Sequence, residues 1–176
     1  MKNIFSVFSL ILVASFMLVG CGNTNGSEKE EIKPIINANQ FSRISSKKLI
    51  SIMGKPESIE DYKWSVPKTG KSIVGKVYVY KKNKYEFILF DDSVARLNVY
   101  SGKFMGYDDS QFELKNEQDI FPMFNIKPND HLKKIGDTNY ALRFSPVSGK
   151  VADVWIQEIE DNSFGIAKIT YSLKYY

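Results

Sequence analysis

The chain carries one cysteine, Cys21, and one histidine, His131, so the side chains that most often act as nucleophile, general base or zinc ligand are nearly absent. A lone histidine rules out a two-histidine zinc site and any histidine pair. Cys21 closes the run Leu18-Val19-Gly20-Cys21, in which a small glycine leaves the preceding peptide bond accessible and the thiol can take up a diacylglycerol. Carboxylates come in pairs at Asp91-Asp92, Asp108-Asp109 and Glu160-Asp161. Adjacent side chains of an extended strand point to opposite faces, and each pair falls at an expected turn or connector, where Asp bonds its own backbone. Neither a calcium-loop spacing nor a phosphate-cradling glycine loop is present. Ser45 precedes Lys48 by three positions, but without the companion motifs of acyl-enzymes, and its expected role is a helix cap. No residue constellation specifies a reaction, and no metal or cofactor is expected.

The cysteine motif gains meaning from what precedes it. Lys2 is the only charge before Glu28, and an apolar run follows from Ile4 to Val19, interrupted only by Ser6, Ser9 and Ser15. A spanning helix needs ~20 apolar residues, and the residues that follow are Gly, Cys, Gly, Asn and Thr rather than basic anchors. The segment resembles a bacterial lipoprotein signal, with Leu at minus three, a small or aliphatic pair, and the acceptor Cys21. The resemblance implies cleavage after Gly20 and acylation of Cys21. Two acyl chains at ~0.8 kcal/mol per buried CH₂ hold a protein stably on a membrane, where one chain binds reversibly.

Removing 20 residues from 176 leaves 156, enough for one ordinary domain or two small units. An acylated Cys21 leaves no thiol for a disulfide, so a core must stabilise the fold; 43% apolar and 14% aromatic residues permit one. The net charge of +4 becomes +3 once Lys2 is removed, too mild to indicate nucleic acid.

Residues 21–40 are polar, with the charge cluster Glu28-Lys29-Glu30-Glu31 and no hydrophobic period, and read as a tether onto which Pro34-Ile35-Ile36 introduces the first apolar contact. A first unit spans 41–100. Ser45 or Ser46 caps a helix whose Leu49, Ile50, Ile52 and Met53 share a face, and Gly54 then Pro56 end it. Strands are expected at 58–64, 73–82, 84–90 and 94–100, with turns at Lys82-Asn83 and Asp92-Ser93. Residues 101–128 form a connector with a short strand near Phe112. A second unit, 129–176, begins with a helix capped by Asn129 or Asp130 and ending at Gly136, which places His131 on an exposed helix start. Strands follow at 139–145, 150–159 and 164–173, joined by turns at 146–149 and Asp161-Asn162. The expected class is α+β: two tandem units, each a short helix packed on an antiparallel meander.

A helix ending in Met53-Gly54-Lys55-Pro56 and leading into a strand with Tyr62 and Trp64, after a lipoprotein signal and tether, resembles small α+β envelope lipoproteins of the BamE (SmpA/OmlA) type and the tandem units of β-lactamase-inhibitor-like proteins. The resemblance implies a sheet presented for protein contacts on the outer face of a cell membrane.

Two surface features accompany it. Seven lysines, Lys63, Lys68, Lys71, Lys76, Lys81, Lys82 and Lys84, occur with no acid between the first and last, giving a basic hairpin that attracts anionic envelope polymers or headgroups or simply guards a sheet edge. Alternation with Val77, Val79, Ala95, Leu97 and Val99 under the helix leaves Tyr78, Tyr80, Arg96 and Tyr100 on the open side. Tyr and Arg are enriched at contact sites. The expected function is a non-catalytic, membrane-anchored protein that binds a protein or wall polymer through this face. The alternatives are a tethered inhibitor of an extracellular hydrolase and a hydrolase with an unfamiliar site.

Overall fold

The computed structural model describes residues 32–176, so the cleavage site and Cys21 lie outside the described residues. Alternating apolar and polar residues fold into strands β1 (Ser58–Ser65), β2 (Ser72–Tyr80), β3 (Tyr85–Phe90), β4 (Ser93–Tyr100), β5 (Phe112–Glu113), β6 (Lys134–Thr138), β7 (Ala141–Phe144), β8 (Asp153–Glu160) and β9 (Ser163–Thr170). All pair antiparallel in one sheet of order β1-β2-β3-β4-β9-β8-β7-β6, with β5 added beside β9. The two four-strand meanders are thus mirrored in order and joined at their last strands, from Arg96 opposite Thr170 to Tyr100 opposite Ile166.

Turn chemistry sets the register. Asp91-Asp92 and Asp161-Asn162 carry φ of 50°, 56° and 46°, 58°. Two consecutive left-handed residues make the turn that matches strand twist, and Asp and Asn tolerate it best. The β3–β4 turn therefore sits one residue earlier than the expected Asp92-Ser93. Ala95 is squeezed out of the ladder, since Ile88 faces Arg96 while Leu89 faces Val94. That bulge moves Ala95 onto the same face as Arg96 and keeps Val94, Leu97 and Val99 on the other.

One face is covered. Helix α1 (Ser46–Met53) starts where the Ser45 hydroxyl accepts the Lys48 N–H and ends at Gly54, whose φ of 83° suits glycine. Eight residues do not hold a helix alone; Leu49, Ile52 and Met53 pack it on the core. Beside it lie the 3-10 turn Ala38–Phe41 and, beyond the one-turn helix α2 (Gly102–Met105) of the connector, the short helix α3 (Ile120–Met123). Residues 32–40, expected to belong to the tether, are docked: Ile35 N–H donates to the Met123 carbonyl and Ala38 N–H to that of Phe124, while the buried Tyr171 hydroxyl donates to the Ala38 carbonyl at 2.8 Å. Burial holds the Tyr171 phenol well above its usual range. Phe41, Phe87, Leu97, Phe124, Ile156 and Ile169 are fully buried beneath this layer.

The helix expected at 129–136 does not form. Asn129 accepts the His131 N–H in a side-chain turn at 2.9 Å, and residues 134–138 run as β6. Only Leu132 and Ile135 would have faced a core from such a helix, too few to offset its ordering entropy, whereas β7 offers a ladder of partners. Pairing skips Ile135, leaving a bulge at this outer edge; the other edge, β1, carries Glu60, Asp61 and Lys63. The helix seen instead, α3, holds Pro122 in its first turn, where a missing N–H costs nothing.

Gly75 marks where β2 leaves β3, since pairing between them starts at Lys76 opposite Leu89. A Cβ at Gly75 would overlap the Leu89 carbonyl oxygen and the Phe90 ring. Gly75→Ala is therefore expected to destabilise the fold by about 1–3 kcal/mol, the usual cost of overpacking, whereas Gly149→Ala, which meets nothing, should be close to neutral. Denaturant unfolding of both variants checks this.

Candidate functional site

The other face of the sheet is left largely uncovered: only one-turn elements border it, the helix Gly102–Met105, whose Phe104 ring stacks 5.7 Å from that of Tyr100, and the 3-10 turn Leu173–Tyr175. Its side chains follow from register: Glu86, Asn98, Lys168, Trp155 and Arg143 stand opposite one another on β3, β4, β9, β8 and β7, and the next row is Ile88, Arg96, Thr170 and Asp153. A third row holds Tyr100, Ile166 and Gln157. Long side chains fold over short ones, so Thr170, Asn98, Asp153 and Ile166 are buried while Arg96, Tyr100, Trp155 and Lys168 stay half-exposed. The face is filled around these rows, and a cavity of about 480 Å³ opens at its border among Phe104, Glu158, Ile159 and Gly165.

Hydrogen bonds organise its charges. The Tyr100 hydroxyl donates to Glu86 Oε2 at 2.6 Å, and Asn98 Nδ2 donates to both. Burial, with Glu86 beside it, pushes the Tyr100 phenol far above its usual range. Arg143 Nε donates to Asp153 Oδ2 at 2.8 Å, whose side chain is only 3% exposed. Burial raises the Asp153 carboxyl, and Arg143 works against that rise. The Trp155 ring has Lys168 Nζ 5.0 Å and the Arg143 guanidinium 5.3 Å from its centre, within cation–π range. Lys168 is lowered by burial and next by Arg96.

Toward β1 the same face turns apolar. Ile88, Phe90 and Ala95 form a small second core with Tyr62, Trp64, Ile73 and Val77. The segment Leu173–Tyr175 and Tyr176 lie on it: Trp64 Nε1 donates to the Tyr175 carbonyl at 2.6 Å, and the Tyr176 ring stacks 3.4 Å from the Arg96 guanidinium. Arg96 Nε also donates to Thr170 Oγ1 at 3.1 Å.

Of the four residues expected together, Arg96 and Tyr100 lie on this open face. Tyr78 and Tyr80 lie on the covered one, because Tyr78 pairs with Phe87 and Tyr80 packs edge-on against it; Tyr80 is 3% exposed. The bulge at Ala95 is what breaks the expected alignment of β2 with β4. Sequence reading missed Trp155, Lys168 and Arg143, whose Lys and Arg alternate with apolar residues on β7 to β9 in the pattern already used for β4.

The lysines do not form one patch. Lys68 and Lys71 flank the β1–β2 turn, Lys81, Lys82 and Lys84 the β2–β3 turn, and Lys63 and Lys76 the strands between. Lys76 pairs with Asp61, and the Glu57 carboxylate accepts the Lys82 N–H. Lys84 lies over the Phe112 ring at 5.4 Å. Acids outside the lysine run thus fold back among them. Asp91-Asp92 form the turn already described, Asp108 accepts the Ser110 N–H at 2.7 Å, and His131 is exposed.

Among the described residues no group of three or more His, Cys, Asp or Glu is placed to hold a metal ion, and no helix is long and apolar enough to cross a membrane. Comparison with family models, curated proteins and solved structures returns no match to this chain.

Removing Arg143 leaves Asp153 buried without its donor. Arg143→Ala is expected to cost about 1–3 kcal/mol at pH 7. The Asp153 carboxyl would then rise further above its unfolded value, and a raised acid is most stable below the unfolded pKa and loses stability as pH rises. The deficit relative to wild type should therefore shrink as pH falls from 7 toward about 4 and level off below that, read by urea unfolding across pH.

Proposed function

We propose that this chain is a membrane-anchored lipoprotein, acylated at Cys21 on the extracytoplasmic face, that binds a protein or cell-envelope polymer through the open face of its sheet without catalysing a reaction. The observation that carries the binding part is the open face itself. Arg96, Tyr100, Trp155 and Lys168 are held there by strand register and hydrogen bonds, and pre-ordered Arg, Tyr and Trp side chains lose little entropy on contact. The anchoring part rests on Leu18-Val19-Gly20-Cys21 after a short apolar run.

The two-unit reading of the fold, and with it the likeness to tandem envelope and inhibitor-like proteins, draws support from the mirrored strand order about β4 and β9. In the second half the connector containing β5 and α3, rather than a helix at 129–136, takes the covering position.

Two measurements test the proposal. Mass spectrometry of protein extracted from host membranes should find the first twenty residues gone and acyl chains on Cys21; a full-length chain with a free thiol would remove the anchor. Cross-linking in cells should capture a partner with wild type and about tenfold less with Tyr100→Ala/Trp155→Ala, as when contact residues worth above ~1 kcal/mol are lost. Equal capture would remove the face.

A further inference from the structure

On the open face two cations stand without a direct ion pair. Two of the three nearby carboxylates are engaged: Glu86 accepts from Tyr100 and Asn98, and Asp153 accepts from Arg143; the third, the exposed Glu158, draws on Lys168 only from beyond ion-pair distance. Arg96 and Lys168 have no carboxylate within ion-pair distance among the described residues. Arg96 uses one of its five N–H groups on Thr170, leaving its outer nitrogens, and Lys168 meets the Trp155 ring with no acceptor on its ammonium. The two are diagonal neighbours across β4 and β9, because Arg96 faces Thr170 and Asn98 faces Lys168. Diagonal positions lie about 7–8 Å apart, which lets two long side chains close on one oxyanion. Half-buried cations without counter-ions are costly in a folded protein, and an anion between them would repay that cost.

We infer that Arg96 and Lys168 form a binding site for the acidic group, carboxylate or phosphate, of an anionic saccharide. This rests on reading the open face as the binding face and names its ligand class. The site lies in mid-sheet, where β4 and β9 have their ladder partners on both sides, so a peptide has no free strand edge to extend. The floor residues Thr170, Asn98 and Ile166 are covered, so a peptide side chain has no apolar hole to enter between the two cations, the cavity at Phe104 and Gly165 lying to one side of them; edge and groove are the usual footholds for peptides. What surrounds the cations are groups that exchange hydrogen bonds with hydroxyls: the Tyr62 phenol, the Gln157 amide N–H and the Trp155 indole N–H, all on half-exposed side chains. A sugar carries its acid and several hydroxyls on one small ring, and so addresses both sets at once. Tyr176, stacked on Arg96, forms one wall of the site.

The test titrates the purified protein with trigalacturonate, 6-phosphomaltotriose, neutral maltotriose and hexaglutamate, following Trp fluorescence and backbone amide shifts. Expected is saturable binding of at least one acidic sugar, at least tenfold tighter than maltotriose and hexaglutamate, with shifts centred on β4 and β9. The stronger acidic sugar identifies the carboxylate or the phosphate as the preferred group. Lys168→Gln should weaken that binding at least tenfold with unfolding unchanged, and Lys71→Gln, at the far hairpin, should leave it unaltered. Hexaglutamate binding as tightly as the sugars would overturn the inference in favour of an acidic peptide, and no binding, or binding indifferent to Lys168→Gln, would overturn it outright. Capture of a partner in cells, lost with Tyr100→Ala/Trp155→Ala, alongside a failed sugar titration would sink this inference and leave the binding face standing.

Discussion

The seam between β4 and β9 is the constraint on which the molecule depends. It joins strands that are distant in the chain, as the bond from Arg96 to Thr170 across 74 positions shows, and such closures are entropically expensive before they return anything. The return comes from both sides of the ladder. Beneath it Leu97, Val99, Ala167 and Ile169 are fully buried. Above it Arg96 and Asn98 stand opposite Thr170 and Lys168, which makes the open face continuous. The Tyr171 N–H then bonds the carbonyl of the bulged Ala95, so the irregularity in one strand anchors the exit of the other. Neither meander alone would present Arg96 beside Lys168.

Local signals in the sequence were sufficient for most of the strands. Alternation located β1 to β4, β8 and β9 to within a few residues, and the Asp and Asn pairs that tolerate left-handed backbone located their turns. The helix capped by Ser45 and ended at Gly54 was equally plain, because cap and stop are local chemistry. What failed was what depends on distant partners. Residues 129–136 have a cap-like start and a glycine at the end, yet β7 supplies hydrogen bonds that no sequence window shows. The face assignment of Tyr78 and Tyr80 failed for a related reason: one extra residue at Ala95 inverts the phase of the alternation between strands. Arg96 and Tyr100 were placed on the open side correctly because they lie beyond the bulge. Trp155, Lys168 and Arg143 join them only through pairing across the seam.

The open face differs from an apolar interface in how it is held. Glu86 is spent on a phenol and an amide and Asp153 on a guanidinium, which leaves Arg96 and Lys168 without a direct ion pair. Burial lowers Lys168 and raises Tyr100, both signs of side chains partly withdrawn from water by their neighbours. Groups in that condition interact more strongly with an incoming charge than the same groups on a fully hydrated surface, because less solvent screens them. The lysines of the first hairpins, by contrast, are largely exposed and face back-folded acids.

The two outer strands have a bearing on behaviour at high density. A sheet ends in unpaired amides and carbonyls that can recruit a neighbouring molecule and seed fibres. Here one margin carries Glu60, Asp61 and Lys63, and the other is five residues long and kinked where Ile135 drops out of pairing. Copies packed shoulder to shoulder therefore meet along borders that resist stacking into a common ribbon.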